Sequence, residues 1–173
     1  GFCAGGDVKS MAAGRDVTQT FEQRATRLRD RAEASRLLHE IPKPTIAVLP
    51  GPAAGAGLAL AMACDFRIAV DSAKLTVAFA KVGLSGDYGA SWFLTQLVGP
   101  AKAKELLMFS PVLTAPEALE AGLLHRVYPP GLFQEQTAAF VSTLANGPSV
   151  SLGYIKQNVN LASRSDLSTS IDS

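Results

Sequence analysis

The chain has 173 residues, a net charge of +1 and 47% hydrophobic residues, which fits one globular domain long enough to bury a core. So balanced a charge offers no basic face for nucleic acid, and two cysteines, Cys3 and Cys64, give neither a disulfide framework nor a CxxC metal pattern, so a reduced, cytoplasmic setting is expected. No basic-then-apolar leader opens the chain, and the uncharged stretch 45–64 is broken by Pro50, Gly51, Pro52, Gly55 and Gly57, so it reads as strand, turn and buried helix, not a membrane span.

In chain order, residues 1–8 (GFCAGGDV) form a glycine-rich turn, and 9–20 are polar, a helical turn followed by a loop. Over 21–40, Phe21, Ala25, Leu28, Ala32, Ser35 and Leu38 or His39 recur at helical spacing, with five arginines and four acids between them. Those charges nearly cancel, so they read as a solvated face of exposed ion pairs, not a basic docking helix. Ile41-Pro42-Lys43-Pro44 ends that helix. Residues 45–49 are a buried strand and 50–57 a turn. The stretch 58–66 begins as a helix whose small apolar residues on every side place it inside the fold. Strands are expected at 66–70 and 73–79. A Gly-rich loop at 83–91 leads into a helix over 92–98, stopped by Gly99-Pro100, and then a second over 101–109. Thr114 and Glu117 make a capping box for a helix closed by Gly122. Residues 123–128 are a strand end, and 132–145 and 149–162 are helices. Strands and helices in this order, with short connections, argue an α/β fold.

Three features could carry chemistry: GFCAGGD at 1–7, GPAAGAG at 51–57, and Asp87 within GLSGDYGAS. Turns of Gly and Ala let backbone N–H groups approach a ligand unobstructed, and the second turn launches a helix whose free N–H groups face developing negative charge. GPAAGAG lacks the third Gly of a dinucleotide fingerprint, and no GK[ST] marks a P-loop. No His/Asp/Glu cluster has metal-ligand spacing. Asp87 on its own reads more readily as a helix N-cap or turn residue than as a base. Asp7 orders its loop, Asp65 caps or pairs at the end of the buried helix, Cys3 is a small packed residue, and His125 is a satisfied structural histidine.

Taken together, GFCAGGD, KPTIAVLPGPAAGAGLALAMACDFRIAV and SAKLTVAFAKVGLSGDYGASWFLTQLVGPAKAKELLMFSPVLTAPEALEAGLLHRVYP occur in an order that resembles the enoyl-CoA hydratase/isomerase (crotonase) family over nearly the whole chain. The resemblance implies a crotonase-like spiral of ββα units with C-terminal helices. Complete members are longer, so residues 1–148 are expected to be the core without its first strands, and 149–173 the start of the helical trimerisation region. It implies an acyl-CoA thioester as substrate, no tightly bound cofactor, and assembly as a homotrimer or dimer of trimers. The thioester oxygen is expected on the N–H groups of Gly6 and Ala56. Ala4, Gly5, Asp7, Val8 and Gly55 are expected to help bind substrate or CoA, Phe79 and Trp92 to line the acyl pocket, and Tyr88 either to line it or to donate a hydrogen bond. Phe79, Leu84, Trp92 and Phe93 could supply an apolar setting for Asp87.

The two glutamates of the family's hydratases fall on Ala59 and Phe79, and neither can transfer a proton. Asp87 stands where several members carry an Asp, including enoyl-CoA isomerases, dienoyl-CoA isomerases and 4-chlorobenzoyl-CoA dehalogenase. Shifting a double bond from the 3,4 to the 2,3 position needs one base and an oxyanion site, so isomerisation with Asp87 as base fits best. A hydratase and a non-catalytic acyl-CoA binder are the alternatives.

Overall fold

A computed structural model describes residues 1–7, 9 and 19–172. Val8 and residues 10–18, which include most of the expected helical turn after the first loop, lie outside the described residues.

Helix α1 (Phe21–Glu40) opens on a capping box. The Thr20 hydroxyl accepts from Gln23 N–H, and the Gln23 side chain accepts from Thr20 N–H. Its end falls where the prolines require, with Ile41 as C-cap. The chain then makes the same stroke twice. β1 (Ile46–Leu49) and β2 (Ala53–Ala54) lead into α2 (Ala56–Ala63). β3 (Phe66–Val70) and β4 (Lys74–Thr76) lead through a 3-10 turn (Ala80–Val82) into α3 (Ala90–Phe109). β5 (Leu113–Thr114), α4 (Ala115–Glu120) and β6 (Arg126–Tyr128) follow, and then α5 (Pro130–Ala145), α6 (Ser149–Ala162) and α7 (Leu167–Ile171).

Each circuit places one strand in each of two three-stranded sheets, ordered β1-β3-β6 and β2-β4-β5. The first sheet is parallel, with Ile46 beside Phe66 and Ile68 beside Arg126. That is why IAVL and FRIAV are nearly continuous apolar runs, since crossover connections cover both faces of such strands. The second sheet pairs Ala53 with Leu75 in parallel and Leu75 with Leu113 antiparallel. Cys3 bridges Ala53 in parallel, so the first loop lies against β2. This is the expected ββα spiral. Leu58, Ala59 and Ala61 of α2 are buried to 1% or less between the sheets and α3.

Several details differ from the sequence reading. β2 sits inside the stretch read as a turn, because two alanines carry no alternation. Of 73–79 only 74–76 pairs, and Ala78, at φ 53°, turns the chain away. α3 starts at Ala90 and is broken as expected at Gly99 (φ 76°, ψ 164°). α7 was not anticipated; Asp166 caps it by accepting from Thr169 N–H at 2.8 Å. On α1 the expected inner stripe is met only in part. Ser35 is buried, but Phe21 is 78% exposed, because the first half of α1 overhangs the core. Its charged face is solvated, as the cancelling charges predict, with Arg36 pairing to both Glu33 and Glu40.

Buried Lys156 anchors α6. Its Nζ donates to the carbonyls of Leu38 (2.8 Å) and Lys43 (3.1 Å) and lies 2.9 Å from Asp65 Oδ2. Asp65 also accepts from Thr45 N–H at 2.7 Å, so it pairs at the end of α2 as expected. Arg67, 2% exposed, donates to the carbonyls of Leu123, Met62 and Cys64, and burial pulls its pKa down to about 10. His125 is likewise satisfied: its Nδ1 accepts from Arg67 N–H at 3.2 Å and its ring meets Phe66 edge-on.

Candidate active site

The two glycine-rich turns are in contact, and glycine permits it. At Gly5 (φ 81°) a Cβ would stand 2.8 Å from Ala54 O and 3.1 Å from Ala56 N. At Gly57 it would stand 2.3 Å from Cys3 O and 2.6 Å from Cys3 Cβ. The first loop therefore seats directly on the start of α2. Gly55 (φ 51°, ψ −125°) turns the chain into that helix in a conformation other residues avoid. Ala56 opens α2, so its N–H has no acceptor within the helix. Among the described residues neither Gly6 nor Ala56 donates a backbone hydrogen bond.

Both face a cleft of about 650 Å³. Its walls come from four places: Cys3 to Asp7; Gly55, Ala56 and Leu60; Ala78, Phe79, Val82 and Leu84 with Asp87 and Tyr88; and Leu28, Arg31 and Ala34 of α1. Of the residues singled out from sequence, the structure brings together Ala4, Gly5, Gly6, Asp7, Gly55, Ala56, Phe79, Asp87 and Tyr88. Val8 lies outside the described residues. Ala59 is fully buried behind the wall. Trp92 is not brought to the cleft, nor is Phe93. They sit in the first turn of α3, facing the end of α1, where both rings meet His39 edge-on at 5.1 and 5.4 Å. There they line a second cavity of about 420 Å³ beside Lys156. Asp87 takes its apolar surroundings from Phe79, Val82, Leu84 and Tyr88 instead.

Asp87 is not the cap of α3. That place is held by Gly89, which makes no side-chain capping bond, while Asp87 contributes only its backbone carbonyl to Ala90 N–H. Its Oδ1 is buried and has no hydrogen-bond partner among the described residues. A helix start would lower the carboxyl pKa, but burial prevails and raises it. The loop is held in an uncommon shape to present this group: Gly86 and Gly89 have φ 121° and 74°, and Tyr88, not a glycine, has φ 50°. Such a conformation costs on the order of 1–3 kcal/mol and is characteristic of functional sites. Asp7, at the rim, accepts from Lys9 N–H at 3.1 Å. Among the described residues no three His, Cys, Asp or Glu side chains group as a metal site.

The sequence reading missed the α1 wall. Leu28, Arg31 and Ala34 are spaced by three, which sets them on one helix face. The stripe read from sequence shared Leu28 with this wall but continued through Ala32 and Ser35, one position beyond Arg31 and Ala34.

Two sheets wound by a repeated ββα stroke, with two abutting glycine turns and a desolvated carboxylate around one cleft, define an α/β protein of crotonase type. The chain belongs to the enoyl-CoA hydratase/isomerase family, whose model matches residues 1–173. It is 35% identical to the 1,2-epoxyphenylacetyl-CoA isomerase of Escherichia coli K12 over 99% of this chain and 65% of that protein. It is 38% identical to the short-chain-enoyl-CoA hydratase of Clostridioides difficile over 75% of this chain and 83% of that protein. The chain thus spans just under two thirds of the Escherichia coli isomerase. Among solved structures, an enoyl-CoA hydratase from Polaromonas sp. JS666 superposes with a TM-score of 0.89 at 33% identity, over 98% of this chain and 65% of that one. A Thermobifida fusca YX protein solved in complex with acetoacetyl-CoA superposes with a TM-score of 0.80 at 30% identity, over 84% of this chain and 57% of that one. No described helix is long and apolar enough to cross a membrane.

Proposed function

We propose that the cleft binds an enoyl-CoA thioester and shifts its double bond from the 3,4 to the 2,3 position, with Asp87 as the single base. The observation that carries this reading is the Asp87 carboxyl: half-buried, one oxygen unpartnered, its pKa raised by burial, in the same cleft as the N–H groups of Gly6 and Ala56. In this reading the thioester oxygen accepts from both N–H groups. Asp87 takes a proton from C2, the electron pair moves into the C2–C1 bond, and negative charge settles on the oxygen. The neutral Asp87 then returns its proton at C4 as the double bond forms between C2 and C3. Each backbone donor contributes roughly 2.7–4 kcal/mol to holding that oxyanion. A carboxyl with a raised pKa is suited to accept the proton and give it back near neutral pH. Ala4, Gly5, Asp7 and Gly55 border the thioester end, and Phe79 and Tyr88 the acyl end.

Hydration is the second reading, favoured by the hydratase names among the relatives. Against it, Ala59 and Phe79 stand where the family's hydratases are expected to carry two carboxylates; the acids that line the cleft among the described residues are Asp87 and Asp7, and Asp7 accepts from Lys9 N–H. Product analysis separates the two. Supplied with a 3-enoyl-CoA in deuterium oxide, the protein should yield the 2-enoyl-CoA. Supplied with a 2-enoyl-CoA, it should yield no 3-hydroxyacyl-CoA. Hydroxy product as the main outcome overturns the proposal. Residues 149–173 are proposed to begin a helical region through which copies of the protein form trimers, which sedimentation of the full-length protein checks.

A further inference from the structure

The α1 wall brings a charge into the cleft that the isomerisation does not use. Arg31 lines the same enclosure as Phe79 and Asp87. Guanidinium stays charged at any working pH, yet Arg31 forms no ion pair or hydrogen bond among the described residues. Arg36, one and a half turns on, is held by Glu33 and Glu40, and among the described residues Arg31 is the one Lys or Arg that lines the cleft. The carboxylates nearest in the cleft do not neutralise it either. Asp87 Oδ1 has no partner, and Asp7 accepts from Lys9 N–H. Leu28 and Ala34 on the same helix, with Leu60 and Phe79, give the cleft an apolar share of its lining. Arg31 is exposed to the solvent of the open cleft, and a cation there that pairs with no described carboxylate is a site for an anion brought by the ligand.

We propose that Arg31 determines specificity by binding a carboxylate carried on the acyl chain, so that the favoured substrates are ω-carboxyacyl-CoA thioesters. This rests on the reading of the cleft as an acyl-CoA site. The thioester end is bordered by the glycine turns and by Asp7, whose charge disfavours a phosphate there. Arg31 reaches the cleft from the separate α1 wall, beside the apolar lining suited to an acyl chain. Recognition at one end by backbone donors and at the other by a guanidinium would hold C2 at a fixed distance from Asp87, and so improve reaction as well as binding.

The test is calorimetric titration of the full-length protein with glutaryl-, adipyl- and suberyl-CoA and with the matched monoacyl thioesters, repeated on Arg31→Met. At least one dicarboxylic thioester should bind about tenfold to hundredfold tighter than its monoacyl match, 1.4–2.8 kcal/mol at a factor of ten per 1.4. Arg31→Met should remove that preference, bringing each dicarboxylic affinity down to that of its monoacyl match, and leave the melting temperature unchanged. Equal affinity for every matched pair in the unaltered protein overturns this proposal and leaves the acyl-CoA reading standing. An equal loss of both classes on Arg31→Met, absent with acyl-pantetheine, means that Arg31 holds a CoA phosphate, and also overturns it. Binding of no thioester overturns both readings.

Discussion

Substituting Gly57 by Ala sets two effects against each other. In a helix interior Ala is better than Gly by about 0.8–1.0 kcal/mol, so propensity alone predicts a more stable protein. The added Cβ, however, would stand 2.3 Å from Cys3 O, 2.6 Å from Cys3 Cβ and 2.8 Å from Cys3 C. Two of these are backbone atoms, which no rotamer change can move aside. Relief requires the first loop to shift by about 1 Å, at roughly 1–3 kcal/mol for an overpacked contact. The bond from Ala54 N–H to Cys3 O, 2.9 Å long, would weaken with it, by about 1 kcal/mol if lost. The net is a destabilisation of about 1–3 kcal/mol, or a fall in Tm of about 2–4 °C per kcal/mol for a domain of this size. Catalysis should suffer more. Gly6 rides on the displaced loop, and a 1 Å misplacement costs about a hundredfold in rate. Urea denaturation and single-turnover kinetics on a 3-enoyl-CoA measure the two effects. Gly131→Ala is the control, because a Cβ there meets nothing within 4 Å, and it should be neutral or stabilising. If Gly57→Ala matched Gly131→Ala in stability and retained wild-type turnover, the seating of the first loop on α2 described above would be refuted.

Asp87→Asn should stabilise the protein at neutral pH. Because burial raises the folded-state pKa above the ordinary value of 3.8, the ionised group opposes folding fully above the raised pKa and ceases to do so below the ordinary one. The gain in Tm should therefore shrink as pH is lowered, and a pH-independent gain would contradict it. His125 has the opposite sense: burial pulls its pKa from 6.5 to about 4. Between those values the unfolded chain binds a proton that the folded one refuses, so stability should decline as pH falls from about 6.5 to about 4, and nuclear magnetic resonance titration should show the ring neutral at pH 6. Lys156→Met removes the cation paired with Asp65, which keeps its bond from Thr45 N–H, and leaves the Leu38 and Lys43 carbonyls without their Lys156 donor. It should cost about 3–5 kcal/mol, read as a drop in the urea midpoint.

The long elements were legible because local and tertiary signals agreed. Helix 21–40 ends at Pro42 and Pro44, the capping box at Thr114 and Glu117 formed as read, and the apolar runs 46–49 and 66–70 became the parallel sheet. The short pieces were not, since Ala53–Ala54 is a strand only because Cys3 and Leu75 lie beside it. At the cleft, the glycine turns could be singled out in advance because their pattern reports backbone geometry, whereas Asp87 was singled out only through the family resemblance, its own setting favouring a cap or turn. That Asp87 leaves capping to Gly89 depends on the φ 50° turn at Tyr88, which no pattern announces. Trp92 was expected in the cleft as a bulky apolar residue of the acyl pocket. Its direction was decided by His39, which lies far along the chain and adjacent in space.

The most direct test of the central claim is the turnover of a 3-enoyl-CoA by Asp87→Asn, measured beside its affinity for a saturated acyl-CoA. With the base removed and the oxyanion donors and cleft walls intact, the double-bond shift should be abolished while the thioester binds as before. Isomerisation retained by the variant at a rate near wild type would show that the proton is carried by another group.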